Sequence, residues 1–244
     1  MDATTQQLAA SARSHIDTIV FDLDGTLIDS APEIARAANT TLANHGHEPL
    51  PLAQVISFIG NGAPMLLRRA FAARGVELAD AAIPTLHDEF QRHYIAQEVD
   101  PEQFYPDVKT VLDELKARAF KIAICTNKSQ ASTDALAPTL GLDRWFSVFI
   151  GGDARSFRKP DGRHVLEALH RVGGDPDRAV MVGDSAADIS AARDARMPSI
   201  LVSYGYRREP ANALGATVII DGFGELPAAL DRIARSMERG TTTP

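Results

Sequence analysis

The sequence predicts a doubly wound, Rossmann-like α/β fold: a parallel sheet core with a helical cap inserted after the first strand. Two observations predict the core. Apolar runs of strand length recur at residues 16–21, 120–125, 148–150, 179–182, 199–202 and 217–220. Segments of helical period separate most of them, at residues 108–118, 129–140, 163–172 and 186–196, with a last one at 223–237. Strands that alternate with helices pair in parallel through crossovers, which covers both faces of the sheet. A third observation predicts the cap: from residue 32 to 105 the pattern is helical only.

The first strand is apolar and runs into Asp22, where Asp24-Gly25 signals a turn. Helical patterns follow at residues 33–45, 52–59, 63–74 and 79–97, punctuated by Asn44-His45-Gly46 and Arg74-Gly75. The chain leaves the core near residues 30–32 and returns near 100–106, and these two connections are the expected hinges of a lid. The domain reading is a flexible leader at 1–14, a core at 15–31 and 106–240, and a cap at 32–105. A chain of 244 residues with 45% hydrophobic content is long enough for one full core plus an insertion.

Composition narrows the partners. With 25 Lys+Arg against 32 Asp+Glu the formal charge is -7, and no basic run interleaved with aromatics suggests a nucleic acid. The single cysteine, Cys125, excludes an internal disulfide and fits a reducing compartment. It reads as a small buried strand residue rather than a nucleophile. The amino-terminal MDATTQQLAASARSH lacks an apolar core of signal-peptide length, no segment approaches a membrane span, and the terminal RGTTTP reads as unstructured. A cytoplasmic monomer or homodimer with no membrane partner is expected.

Each remaining polar feature follows a strand. Thr126-Asn127-Lys128 follows the second, Gly151-Gly152-Asp153 and Arg158-Lys159-Pro160 the third, and Gly183-Asp184-Ser185-Ala186-Ala187-Asp188 the fourth. Parallel topology brings these ends to one edge, where such sheets bind ligands. The resulting site holds carboxylates at Asp22, Asp24 and Asp184, with Asp188 nearby, a hydroxyl at Thr126 and an ammonium at Lys159. Side chains two apart on a strand share a face, so Asp22 and Asp24 could converge, although the turn could swing the second aside. Their repulsion asks for a cation, and carboxylates with carbonyls and water make the oxygen shell that Mg²⁺ prefers. Mg²⁺ commonly shares its coordination with a substrate phosphate, so a small phosphorylated metabolite is the expected guest. With no Cys/His zinc spacing and no Ser-His-Asp arrangement, the nucleophile is sought among the carboxylates. Asp22 is the candidate, giving an aspartyl phosphate, and Asp24 is the candidate acid/base.

The stretches DLDGTLIDS, TNK, the lysine of RKP and GDSAAD resemble, in order, the four motifs of the haloacid dehalogenase superfamily, and the insertion resembles its helical cap. The resemblance spans nearly the whole chain. It implies Asp22 as nucleophile and metal ligand, and Asp24 as acid/base with its backbone carbonyl on Mg²⁺. It further implies Thr126 and Lys159 as phosphate contacts, a backbone amide from Asn127, Asp184 as a metal ligand and Asp188 as a supporting carboxylate. One departure is visible: many relatives carry a second proline where Gly162 stands, which leaves the rigidity of that loop open.

Within the superfamily the chain resembles the phosphoglycolate phosphatases, through Phe58-Ile59-Gly60-Asn61-Gly62-Ala63, Phe104-Tyr105-Pro106-Asp107-Val108 and Ser203-Tyr204-Gly205-Tyr206. The turn Gly60-Asn61-Gly62 could present amides to a substrate carboxylate, and it is equally an ordinary helix-start signal. The implied activity is Mg²⁺-dependent hydrolysis of 2-phosphoglycolate. Alternatives on the same core are a phosphatase for a sugar phosphate or pyrophosphate, or a phosphomutase. A phospho-receiver module uses a similar set of strand-end residues but has no use for the insertion, and a dehalogenase needs no second acid.

Plainer readings accompany each residue. Thr126 alone reads as a helix cap, Lys159 as a solvated loop residue, and Asp184 and Asp188 as acids favoured in a first helical turn. Asp29 reads as a cap for the region of Pro32. His45, His47, His87, His93, His164 and His170 are expected mostly at surface or boundary positions.

Overall fold

Six short apolar runs assemble into one wholly parallel sheet in the structure, a computed structural model describing residues 16–240. They are β1 (Thr18–Phe21), β2 (Lys121–Cys125), β3 (Phe149–Ile150), β4 (Ala179–Gly183), β5 (Ser199–Val202) and β6 (Val218–Ile220). Their order is β3-β2-β1-β4-β5-β6. Phe21 sits in register between Ile124 of β2 and Val182 of β4, so the first strand is central. The order of strands reverses between β1 and β4, and that reversal opens a crevice at their carboxyl ends.

The helices are α1 (Ala31–Asn44), α2 (Leu52–Ile56), α3 (Ala63–Ala72), α4 (Ile83–Ile95), α5 (Val108–Ala117), α6 (Gln130–Thr139), α7 (Gly162–Arg171), α8 (Ala186–Asp194) and α9 (Leu226–Gly240). Strand alternation decides which of them cover which face. Ile19 and Phe21 point into a cluster with Leu112 and Leu115 of α5 and Leu230 and Ile233 of α9. Val20, between them, points the other way, toward Val165 and Leu169 of α7 and Ala191 of α8. Both faces of the sheet are therefore buried, as a parallel sheet requires.

Helices α1 to α4 form the insertion after β1 and carry a separate core of their own, including Leu42, Leu67, Phe71 and Phe90. Its two connections to the sheet are tied together. The Asp29 N–H donates to Gln103 O at 2.8 Å, and the Tyr105 N–H donates to Leu27 O at 3.1 Å. Asp29 also accepts the Ala31 N–H at 3.3 Å, although Ser30 and not Asp29 holds the cap position of that helix, and it receives the Tyr206 hydroxyl at 2.5 Å.

Both ends of the last helix differ from expectation. The last helix begins at Leu226 rather than 223, because Phe223–Glu225 close a 3₁₀ turn after an extended Gly222, and it continues through Gly240. Arg239 and Gly240 of the expected unstructured RGTTTP are thus helical, while the leader at 1–14 and the last four residues lie outside the described residues.

Phe21 is fully buried and meets Phe146 edge-on and Phe223 at a tilt, each with ring centroids 6.0 Å apart. Phe21→Ala is expected to cost about 3–5 kcal/mol, measured by urea denaturation. A loss under about 1 kcal/mol would contradict the central packing of β1.

Candidate active site

Asp22 directly follows β1, and its N–H donates to Val182 O at 2.9 Å, so pairing with β4 continues one residue past the strand and fixes the carboxylate's base. Lys159 Nζ lies 2.6 Å from Asp22 Oδ1 and 2.6 Å from Asp188 Oδ1, and it donates to Cys125 O at 2.7 Å. Asp184 follows β4 directly and accepts the Tyr206 N–H at 2.5 Å. Carboxylate oxygens of Asp22, Asp184 and Asp188 all lie within 4.8 Å of one another, and all three residues are buried. Asp188 divides its oxygens: Oδ1 faces Lys159, while Oδ2 accepts the Ser185 N–H at 3.0 Å and the Ser185 hydroxyl at 2.6 Å. Helix capping and a place in the site are therefore the same residue's two halves. Thr126 is buried beside them, its Oγ1 accepting the Lys128 N–H at 3.1 Å.

Asp24 does not share this cluster's orientation. Its carboxylate accepts from Lys128 Nζ at 2.9 Å through both oxygens, and Oδ1 also accepts the Ser30 hydroxyl at 2.6 Å. The turn swings it aside, the second of the two outcomes the sequence allowed. Gly25 makes that turn at φ +85, and a Cβ there would stand 2.5 Å from Asp184 Oδ2. Only glycine fits both the conformation and the space.

Burial pushes the Asp22 carboxyl up to about 7; Lys159 pulls against this, while Asp188 and Asp24 add to it. Burial, then Asp188 and Asp22, hold Asp184 well above the usual carboxylate range. Burial alone would lower Lys159, but Asp188 and Asp22 keep it above an ordinary lysine, so it stays charged. The Cys125 thiol is pushed up to about 12 by burial and remains protonated near neutrality, in keeping with its reading as a strand residue.

Several neighbours were not singled out by the sequence. His164, expected with the other histidines at a surface or boundary, is fully buried instead. Its Nδ1 accepts the Lys159 N–H at 3.3 Å and its Nε2 faces Gly151 O at 3.1 Å. Burial, then the Lys159 charge, lower it to about 4, so a neutral imidazole braces the lysine's loop. Gly162, which left that loop's rigidity open, is itself a brace. Its N–H donates to Asp194 Oδ2 at 2.7 Å, and a Cβ would stand 2.6 Å from Ala195 N. A proline would lose that bond.

The cap contributes through its loop at Gly60-Asn61-Gly62. Gly60 and Gly62 line a cavity of about 60 Å³ with Asp22, Asp24, Thr126, Asn127, Lys128 and Lys159. Asn61 is turned elsewhere and accepts from Arg69 of α3 at 2.8 Å. The Asn127 side-chain amide donates to Gly60 O and to Lys159 O, each at 3.0 Å, joining the cap to the lysine's loop. Lys128 was the unremarked third residue of TNK; a lysine at a strand end beside phosphate contacts was the available signal.

Residues 16–196 match the model of the haloacid dehalogenase-like hydrolases. The chain belongs to that family. Relatives named phosphoglycolate phosphatase include one from Caulobacter vibrioides, 44% identical over 212 residues, covering 87% of this chain and 90% of its own. Another, from Agrobacterium fabrum, is 41% identical over 211 residues, covering 86% and 91%. Among solved structures, a predicted phosphoglycolate phosphatase from Haemophilus somnus superposes with a TM-score of 0.79 at 29% identity, over 88% of this chain and 97% of that one.

For a haloacid dehalogenase-like hydrolase the donor set is apt. Asp22, Asp184 and Asp188 offer hard oxygens in a buried cluster that one ammonium only partly neutralises, which suits a divalent cation. No helix among the described residues is long and apolar enough to cross a membrane.

Metal and protons compete for these oxygens. Because Asp22 holds its proton up to about 7, well above an ordinary aspartate, the folded, metal-free state binds more protons than the unfolded one across that window. Asp22 therefore makes the metal-free protein less stable as pH rises from about 4 to 7. Excess Mg²⁺ should offset this, adding about 2–3 kcal/mol at a hundredfold excess over Kd near pH 8 and distinctly less near pH 5.5. Thermal melts with and without Mg²⁺ check it; equal shifts at both pH values would contradict it.

Proposed function

We propose that this haloacid dehalogenase-like hydrolase converts 2-phosphoglycolate to glycolate and phosphate, with Mg²⁺ at the carboxylate cluster. The observation that carries the reading is Asp22, set by the central strand 2.6 Å from Lys159 and beside two further buried carboxylates. The core is read as residues 15–31 and 106–240 and the cap as 32–105, closing over the site to exclude water. The substrate choice is supported by the relatives' shared name, and a cytoplasmic location by the one buried, free cysteine.

Asp22 is the nucleophile: a bond forms from its carboxylate oxygen to phosphorus as the ester oxygen leaves. Asp24 gives that oxygen its proton, then takes one from the water that attacks the aspartyl phosphate. Lys159, the Thr126 hydroxyl and the Asn127 backbone amide hold the transferring phosphoryl group. Asp22, Asp184 and the Asp24 carbonyl would hold Mg²⁺, with Asp188 in support. Bound there, Mg²⁺ supplies neutralisation of the phosphoryl oxygens. Gly60, Asn61 and Gly62 shape the substrate end: the two glycines from the cavity wall, and Asn61 by bracing the loop through Arg69.

A phosphate-release screen with Mg²⁺ tests the reading across 2-phosphoglycolate, sugar phosphates and pyrophosphate. Turnover should favour 2-phosphoglycolate, cease with EDTA, and fall about 10³-fold or more in Asp22→Asn. Preference for a hexose phosphate would overturn the substrate, and retained turnover in Asp22→Asn would overturn the nucleophile.

A further inference from the structure

Four charged residues line the catalytic cavity: Asp22, Asp24, Lys128 and Lys159. Lys159 is committed to Asp22, Asp188 and the Cys125 carbonyl at the phosphoryl end. Lys128 is placed differently. Its ammonium is held by the two oxygens of Asp24 and stands 4.2 Å from the centre of the Tyr94 ring on α4, so it sits at the cap side of the cavity. The pair is nearly closed to solvent, with side-chain exposures of 6% for Lys128 and 13% for Asp24. The cap's share of the wall is largely apolar, with Ile34, Leu66, Phe90 and Tyr94.

We propose that Lys128 binds the carboxylate of the substrate, which displaces Asp24 from the ammonium; the freed carboxylate takes a proton from solvent and passes it to the ester oxygen as that oxygen leaves phosphorus. This rests on the phosphoglycolate reading. Phosphorus must lie at Asp22, so the rest of the substrate extends toward the cap, where an anion meets apolar wall unless a cation receives it. In an O–CH₂–COO⁻ skeleton the carboxylate carbon is two bonds from the ester oxygen. The cation that reads it must therefore stand beside the acid that protonates that oxygen, and Lys128 stands 2.9 Å from Asp24. A phosphate ester without a carboxylate leaves Asp24 clamped. Recognition of the substrate's charge and release of the acid/base are then one exchange of partners on a single ammonium.

The test compares 2-phosphoglycolate with ethyl phosphate, which has the same ester linkage and a methyl group where the carboxylate stands, in the wild type, K128M and K128R with Mg²⁺. The wild type should prefer 2-phosphoglycolate strongly. In K128M, kcat/KM for 2-phosphoglycolate should fall about 100-fold or more while that for ethyl phosphate moves less than about tenfold, so the preference collapses. K128R, which keeps the charge, should retain most of it. Equal losses on both substrates in K128M would overturn the proposal and leave Lys128 as an anchor for Asp24 only; a preserved preference would overturn it as well. If K128M does not fold, K128Q carries the same comparison. A wild type that turns over both esters equally sinks the substrate reading itself, before any variant is measured.

Discussion

Three buried carboxylates converge on one another, with a single ammonium paired to two of them, and the rest of the molecule is organised around that convergence. Asp22, Asp184 and Asp188 come within 4.8 Å of one another because β1 and β4 are neighbours in the sheet although far apart in the chain. Burial raises the cost of every charge there, and Lys159 answers it only in part. Such a cluster persists because the sheet beneath it is packed on both faces and the backbone has no room to relax. Glycine at position 25 and the N–H of Gly162 hold the two loops that supply the remaining geometry.

The cap stands in a different relation to the core. It carries an apolar cluster of its own, separate from those on the two faces of the sheet. Across the seam it makes directional contacts: Asn127 to Gly60 O, Lys128 over the Tyr94 ring, and Arg208 to Ser57 O. Of these only the Asn127 bond joins neutral groups, worth about 1 kcal/mol net; the other two carry a charge on the core side. The paired bonds of Asp29 with Gln103 and Leu27 with Tyr105 tie together the two chain crossings between cap and core.

The sheet was legible because each strand is a short apolar run bounded by turn residues, and the place of Asp22, Thr126 and Asp184 followed from their standing at strand ends, with Lys159 in the loop after the third. What escaped the sequence depended on side-chain direction after the strands end. Whether Asp24 stays with Asp22 is decided by the Gly25 turn, and Lys128 becomes its partner only once that turn is made. His164 lies in an amphipathic helix between Arg163 and Val165, where helical period leaves a boundary position open to either environment, and only packing against Gly151 and Lys159 buries it. Asn61 and Gly60 are adjacent in a loop with no period at all, so nothing in the sequence separates the one facing the cavity from the one facing Arg69.

The central claim is that phosphorus is transferred to Asp22. Quenching the enzyme during turnover of 2-phosphoglycolate and reducing it with borohydride converts an aspartyl phosphate to homoserine, which peptide mass spectrometry locates. Homoserine at position 22, absent when substrate or Mg²⁺ is omitted, is the predicted result. Homoserine at another aspartate, or none during demonstrated turnover under conditions that trap an acyl phosphate standard, would contradict it.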